Sequence, residues 1–310
     1  MSPVRIAVVG VGYLGRFHAQ KQKALNPIGF AGVADSQFEV AEAVARELDT
    51  KAWPDYKELL GKVDGVIIAS STSSHFEIAD FFLNHNVHVF VEKPITSTTD
   101  QARHLVEVAK KNNLNLQVGH VERFNPALVA AQSRLKQPLF IECERLAPFK
   151  PRSLEVDVIL DLMIHDLDLV LSLVKSEPVH IAAVGTPVIT SHIDIANARI
   201  EFANGAVANI TASRVSSTGQ RKVRVFQPSQ YLSIDFGSGE IKLVSKKGDY
   251  AHGAELPLET EIWNLDKGDA LLGENKAFLE SIATGQAPIV SGKDGLEALV
   301  LAERILNAIV

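Results

Sequence analysis

The first part of the chain alternates short, unbroken apolar runs with longer amphipathic stretches. The runs at 4–9, 30–34, 63–69, 87–91 and 114–118 read as strands buried on both faces. Between them, 16–25, 36–48, 76–84 and 99–111 carry helical spacing, with Ser36 placed to cap the second of these. Strands separated by helices imply parallel crossovers and a doubly wound sheet. After about residue 120 the pattern changes. Strand-like stretches at 139–146, 179–185, 193–202, 207–215, 222–226, 231–236 and 241–246 follow one another through short turns such as Ala203-Asn204-Gly205. Alternation in Lys222-Val223-Arg224-Val225 predicts a mostly antiparallel sheet with one solvated face. Helices at about 155–174, 268–284 and 292–309 are expected over its other face. The expectation is an α/β chain with a dinucleotide-binding domain at 1–122 and an α+β domain at 123–310. The last helix is free to return to the first domain.

Composition narrows the class. The chain has 310 residues, 46% of them hydrophobic and 22% charged, which excludes disordered, collagenous and coiled-coil proteins. The formal charge of −6 argues against nucleic acid or an anionic membrane as partner. It leaves small anionic ligands open, because a helix N-terminus holds a phosphate whatever the net charge. Cys143 is the one cysteine, so neither a disulfide framework nor a cysteine zinc cluster is expected. No leader pattern and no run of about 18 apolar residues is present, so the expectation is a soluble, cytoplasmic protein.

The chemistry starts at Gly10-Val11-Gly12-Tyr13-Leu14-Gly15, a G-x-G-x-x-G between a strand and a helix. Asp35 follows Gly15 by 20 residues and ends the second strand. That context is the dinucleotide fingerprint. Gly10 permits the turn, Gly12 lets backbone approach a pyrophosphate, and Gly15 lets helix and strand pack. Asp35 suits the adenosine ribose hydroxyls and would repel a 2′-phosphate, and Ser36-Gln37-Phe38 offers no cation. NAD is therefore expected over NADP. The alternative for Asp35 is a cap on the following helix.

Two further features point to catalysis. Glu92-Lys93-Pro94 ends the fourth strand, at the edge of a parallel sheet where ligands bind. Lys93 there is either a surface residue or a group aimed at the cofactor crevice. On an ideal helix Asp157, Asp161, His165 and Asp168 fall within about an 80° arc of an otherwise apolar segment, which only Asp166 clearly breaks. Buried carboxylates and imidazole need partners, so this stripe is expected to face a polar cavity. Asp161 can orient His165 as a general base. The alternative is a set of caps and salt bridges around one core histidine. A metal on Asp161, His165 and Asp168 is not expected, since no His-x-x-x-His pair accompanies them.

The glycine loop with Asp35, then Glu92-Lys93-Pro94, then Asp161 to Asp168, in this order, resemble the Gfo/Idh/MocA oxidoreductases. So does the C-terminal run of Glu274–Phe278, Gly285, Pro288 and Ser291 to Gly295. The resemblance implies a Rossmann domain followed by an open-faced α+β domain, and oxidation or reduction of sugars or cyclitols with a nicotinamide cofactor. It places Lys93, Asp161 and His165 as catalytic residues. It also places Gly10, Gly12, Tyr13, Leu14, Gly15, Asp35, Ser70, His75, Glu92 and Lys93 at the cofactor. Met163 stands where the family usually has glycine, and Leu154-Glu155-Val156 replaces a glycine-rich approach. The stretch Gly119 to Pro126 resembles the nucleotide-sugar-oxidising members. It implies a UDP-sugar substrate, such as UDP-N-acetylglucosamine oxidised at C3, with Lys93, Glu122, Arg123, Asp161 and His165 at the substrate. From the residues alone, Glu122 and Arg123 serve equally well as an interdomain salt bridge. A dehydrogenase of free sugars or inositols, or a non-catalytic NAD-binding regulator, are the other readings. An open sheet face also predicts a homodimer or homotetramer through the second domain.

Overall fold

A computed structural model of the chain describes residues 3–151, 156–249 and 255–309. It divides into two compact units, residues 1–121 with 269–299, and 122–268 with 300–310. The expected second domain of 123–310 therefore needs correction, because 269–299 belongs with the first unit.

The first unit runs β1 (Ile6–Val9), α1 (Tyr13–Leu25), β2 (Phe30–Ala34), α2 (Phe38–Glu47), β3 (Ala52–Trp53), β4 (Gly65–Ile68), α3 (Thr72–Asn84), β5 (His88–Glu92), α4 (Thr99–Lys111) and β6 (Leu116–Gly119). The six strands are parallel in the order β3-β2-β1-β4-β5-β6. The reversal between β1 and β4 is the switch point of a Rossmann sheet. All four residues of β1 and of β4 are buried, as unbroken apolar runs require. Ser36 does not cap α2. That position belongs to Gln37, which has no side-chain cap bond.

The second unit contains α5 (Pro126–Ala131), β7 (Phe140–Leu146), α6 (Ile164–Val174), β8 (Pro178–Thr186), β9 (Ile195–Phe202), β10 (Val207–Ser213), β11 (Gln220–Gln227), β12 (Gln230–Asp235), β13 (Glu240–Lys246) and β14 (Leu258–Asn264). They form an eight-stranded sheet in the order β14-β13-β12-β11-β7-β10-β9-β8. Every pairing is antiparallel except β7 with β10. Alternate residues Ile141, Cys143, Val223 and Val225 face a core shared with Met163, Leu167 and Val170. The other face carries Glu142 and Glu144 paired with Arg224, beside the tilted, touching rings of Phe140, Phe226 and Tyr231. It is a charged ladder with an aromatic cluster.

Two helices close the chain, α7 (Ala270–Thr284) and α8 (Gly292–Ala308). Instead of covering the antiparallel sheet, α7 packs on α1, and its Phe278 joins Ile6, Val8 and Phe90 in the first core. The helix α8 begins in the first unit and ends in the second, where Leu301, Ala302 and Ile305 are core residues. Among the described residues, no helix is long and apolar enough to cross a membrane.

Candidate active site

The turn from β1 into α1 builds one wall of a cavity of about 540 Å³, lined by Gly10, Gly12, Asp35, Ser36, Asp55, Tyr56, Ser70, Ser74 and Glu77 among others. Gly10 has φ +81° and lies so close to Ser70 that a Cβ would meet its backbone at 2.5 Å. A Cβ on Gly15 would strike the Gly10 carbonyl, whereas one on Gly12 would meet nothing within 4 Å. The open space at Gly12 beside the first N–H groups of α1 is a cradle that fits a pyrophosphate. Tyr13 and Leu14 do not line the cavity, and Tyr13 is 78% exposed. What they bring to an anion is their position in the first turn of α1, not their side chains.

Asp35 lines the same cavity. Its Oδ2 accepts from Val11 N–H at 2.8 Å and its Oδ1 from Gln37 N–H at 2.9 Å. The carboxylate thus locks the glycine loop to the end of β2 and keeps lone pairs for a ribose. Asp55 and Glu77 line the same cavity, and Tyr56 donates to Glu77 at 3.1 Å. Burial, then that acceptor, pushes the Tyr56 phenol up to about 12. Three carboxylates and, among the described residues, no lining lysine or arginine oppose a 2′-phosphate. Sequence reasoning missed Asp55, Tyr56 and Glu77, because a short 3₁₀ turn and the α3 helix bring them in from separate segments.

Ser70 opens the loop before α3, with its Oγ 2.7 Å from that of Ser74. His75 lies behind it, 1% exposed. Its ring nitrogens meet the carbonyls of Pro94 at 3.0 Å and Ser70 at 3.2 Å. Burial lowers its pKa. The ring is sealed and joins the Ser70 loop to the residue after Lys93.

Glu92 is buried as well. Its side chain turns into the core, where Oε1 lies 2.8 Å from His18 Nε2 and Oε2 accepts from Lys93 N–H at 3.1 Å. Lys93 itself is half-buried, and its peptide bond to Pro94 is cis.

The second unit gathers the remaining residues. Ile159–Met163 forms a π-helical turn that leads into α6. Asp161 is on this turn and His165 in the first turn of α6, both half-buried. The wider turn breaks the ideal-helix arc at its N-terminal end. Asp157 falls outside the stripe and accepts from Ile193 N–H at 2.7 Å. Single π turns occur often at functional sites. The segment feeding it is anchored by Arg214, which donates to the carbonyl of Val156 and to Asp194. Leu154 and Glu155 lie outside the described residues. Met163, where glycine is usual, is fully buried in the second core.

Behind His165, Asp166 faces the sheet and takes a two-pronged contact from Arg145, at 2.8 and 2.9 Å. Arg145 also donates to Glu122 at 2.9 Å, and Asn125 donates to the other Glu122 oxygen. Burial alone would lower the Arg145 pKa, but its two carboxylates carry it above the ordinary arginine value. Glu122 is 4% exposed, and both of its carboxylate oxygens are engaged in this buried ion network. Arg123 lies 3.6 Å from buried Asp168. Lys93 stands in the first unit, and Asp161 and His165 in the second.

Residues 4–120 match the model of an oxidoreductase family with an NAD-binding Rossmann fold, and residues 129–229 match the GFO/IDH/MocA C-terminal domain. The chain is 41% identical to UDP-N-acetylglucosamine 3-dehydrogenase of Acidithiobacillus ferrooxidans, over 100% of this chain and 98% of the relative. A solved structure of that enzyme superposes with a TM-score of 0.93, again over 100% and 98% of the two chains. The scyllo-inositol 2-dehydrogenase (NAD(+)) of Bacillus subtilis is 31% identical, over 94% of this chain and 90% of the relative. The chain is an NAD-binding oxidoreductase and belongs to the Gfo/Idh/MocA family.

Proposed function

We propose that the protein oxidises the C3 hydroxyl of UDP-N-acetylglucosamine with NAD. The observation that carries this is the full-length 41% identity to a UDP-N-acetylglucosamine 3-dehydrogenase, against 31% for the inositol enzyme. The bound cofactor supplies a hydride acceptor at nicotinamide C4. The chain's own groups do the rest. The glycine loop and Asp35 hold the two ends of the adenosine diphosphate. His165 takes the hydroxyl proton, with Asp161 orienting the ring. Lys93 donates to the same oxygen and stabilises the negative charge that grows there. One C–H and one O–H bond break, and the products are a ketone, reduced nicotinamide and a proton. Arg123 is the remaining cation assigned to the sugar nucleotide, while Glu122 serves as support.

The test is nicotinamide reduction with UDP-N-acetylglucosamine, against a panel of free sugars and inositols. Turnover confined to the nucleotide sugar is expected. Turnover on inositols alone would favour the cyclitol reading, and NAD binding without any turnover the regulator. The same reading includes a cytoplasmic enzyme working as a homodimer or homotetramer through the second unit. The uncovered sheet face with its Phe140–Phe226–Tyr231 cluster supports that assembly. Light scattering that finds only monomer would count against it.

A further inference from the structure

Beneath Lys93 the first unit contains a sealed polar cluster that the reaction above does not use. His18 from α1, Glu92 from β5 and Glu274 from α7 bring one ligand-type atom each within 4.8 Å of one another, and all three are buried. Gln22 and Asn275 are also fully buried and join them. The hydrogen bonds fix the direction of the chain. Asn275 Nδ2 donates to the carbonyl of Leu271, so that atom is the amide nitrogen. It lies 2.9 Å from His18 Nδ1, which must therefore accept. The His18 proton is then on Nε2 and is donated to Glu92. Lys93 N–H donates to the other Glu92 oxygen.

Glu274 is different. It is 0% exposed, and among the described residues neither carboxylate oxygen has a hydrogen-bond partner. Gln22 Oε1 and Gln117 Oε1, on side chains bonded to Asn275 and to the Glu274 backbone, are buried acceptors that also have no partner among the described residues. Gln117 is bonded to the carbonyl of Glu274 itself. A buried site with spare acceptors and no spare donors needs one more proton or cation. Two ionised carboxylates this close in a core are also strongly disfavoured.

We infer that Glu274 holds a proton, Glu92 holds the charge, and His18 ties that charge to α1, so that the cluster positions Lys93. This rests on Lys93 acting in the reaction proposed above. The division of roles agrees with the electrostatics. Burial and then the Glu92 charge push the Glu274 carboxyl well up. Burial pushes Glu92 up, but the His18 hydrogen bond and the nearby Lys93 charge hold it down. Gly119 keeps the place open. A Cβ there would lie 2.7 Å from the Glu92 carboxylate carbon and from Oε2. One charged carboxylate is thereby held between the helix of the glycine loop and the backbone of the lysine.

Infrared difference spectroscopy of the full chain at neutral pH tests the proton directly. A carbonyl stretch of a neutral carboxylic acid should appear in the native protein and vanish in Glu274→Gln. Glu274→Ala and Gly119→Ala should lower kcat by about 10²-fold, the scale of a misplaced reacting group, with KM for NAD little changed. Glu274→Gln, equal in volume and neutral, should recover most of the kcat that Glu274→Ala loses. No such band, a band that survives in Glu274→Gln, or a stoichiometric metal lost with that substitution would overturn the assignment. If Lys93→Ala loses turnover while Gly119→Ala and Glu92→Gln keep it, the positioning role fails and the reaction stands. If Lys93→Ala keeps turnover, the reaction scheme fails, while the infrared band still decides the proton.

Discussion

At the scale of single residues, geometry separates groups that bind from groups that hold. Asp35 does both, and Asp35→Ala should raise KM for NAD by about 10- to 100-fold, the worth of hydrogen bonds to a charged group. The preference over NADP should narrow in the same measurement. Glu274 makes a prediction about stability. Its folded pKa is raised, so above the ordinary carboxylate range the folded chain keeps a proton that the unfolded chain has lost. Stability must then fall as pH rises through that window. The groups facing Glu274 are His18 and Glu92, and the Lys21–Asp269 pair links α1 to the start of the same helix. Melting temperatures between about pH 5 and pH 8 should show Glu274→Gln gaining on the native protein toward the alkaline end. Parallel profiles would mean that Glu274 is charged when folded. The glycine loop and Asp35 were legible because their spacing is local and each position has a steric reason. The inward turn of Glu92 was not, since it depends on His18 and Gly119 from elements far away in sequence.

At the scale of elements, the buried ion network explains a residue that the helical pattern alone could not. Asp166 breaks the apolar side of its helix because Arg145, on the inward face of β7, meets it there. Arg145→Ala should cost about 3–5 kcal/mol in a urea titration, because it leaves two buried carboxylates without their cation. Glu122→Gln should lower stability while leaving KM for the sugar nucleotide nearly unchanged. A large KM effect with native stability would return Glu122 to the substrate. The strands and helices of the first unit were readable from apolar runs and 3.6-residue spacing. Three features were not. The π turn depends on contacts with the 190–194 loop, as Val158 N–H donates to the carbonyl of Ile193. The strand β14 is an edge strand whose Glu259, Thr260 and Glu261 carry no core-facing signal. The placement of α7 is invisible locally, because an apolar helix face does not say which sheet it covers.

At the scale of the molecule, the order of the chain is not the order of its units. The polypeptide leaves the first unit at Val121, returns for 269–299 and leaves again along α8. That helix continues without a break from Gly292 to Ala308. Its first half supplies Ala298 and Leu299, and its second half supplies Leu301, Ala302 and Ile305, all buried. Fraying either half removes apolar side chains worth about 1.5–3 kcal/mol each for the larger residues. A helix shared in this way should join the two units into a single unfolding event, in contrast to the independent melting that a simple 1–122 and 123–310 division implies. Calorimetry should therefore show one transition. Saturating NAD, recognised by residues of the first unit, should move the whole of it, by about 2.7 kcal/mol at a hundred times Kd. Truncation after Leu299 should abolish that coupling and unfold the second unit, which loses three core residues, while the first unit still binds NAD. Two transitions in the intact chain, with only one moved by NAD, would show that α8 does not carry the coupling.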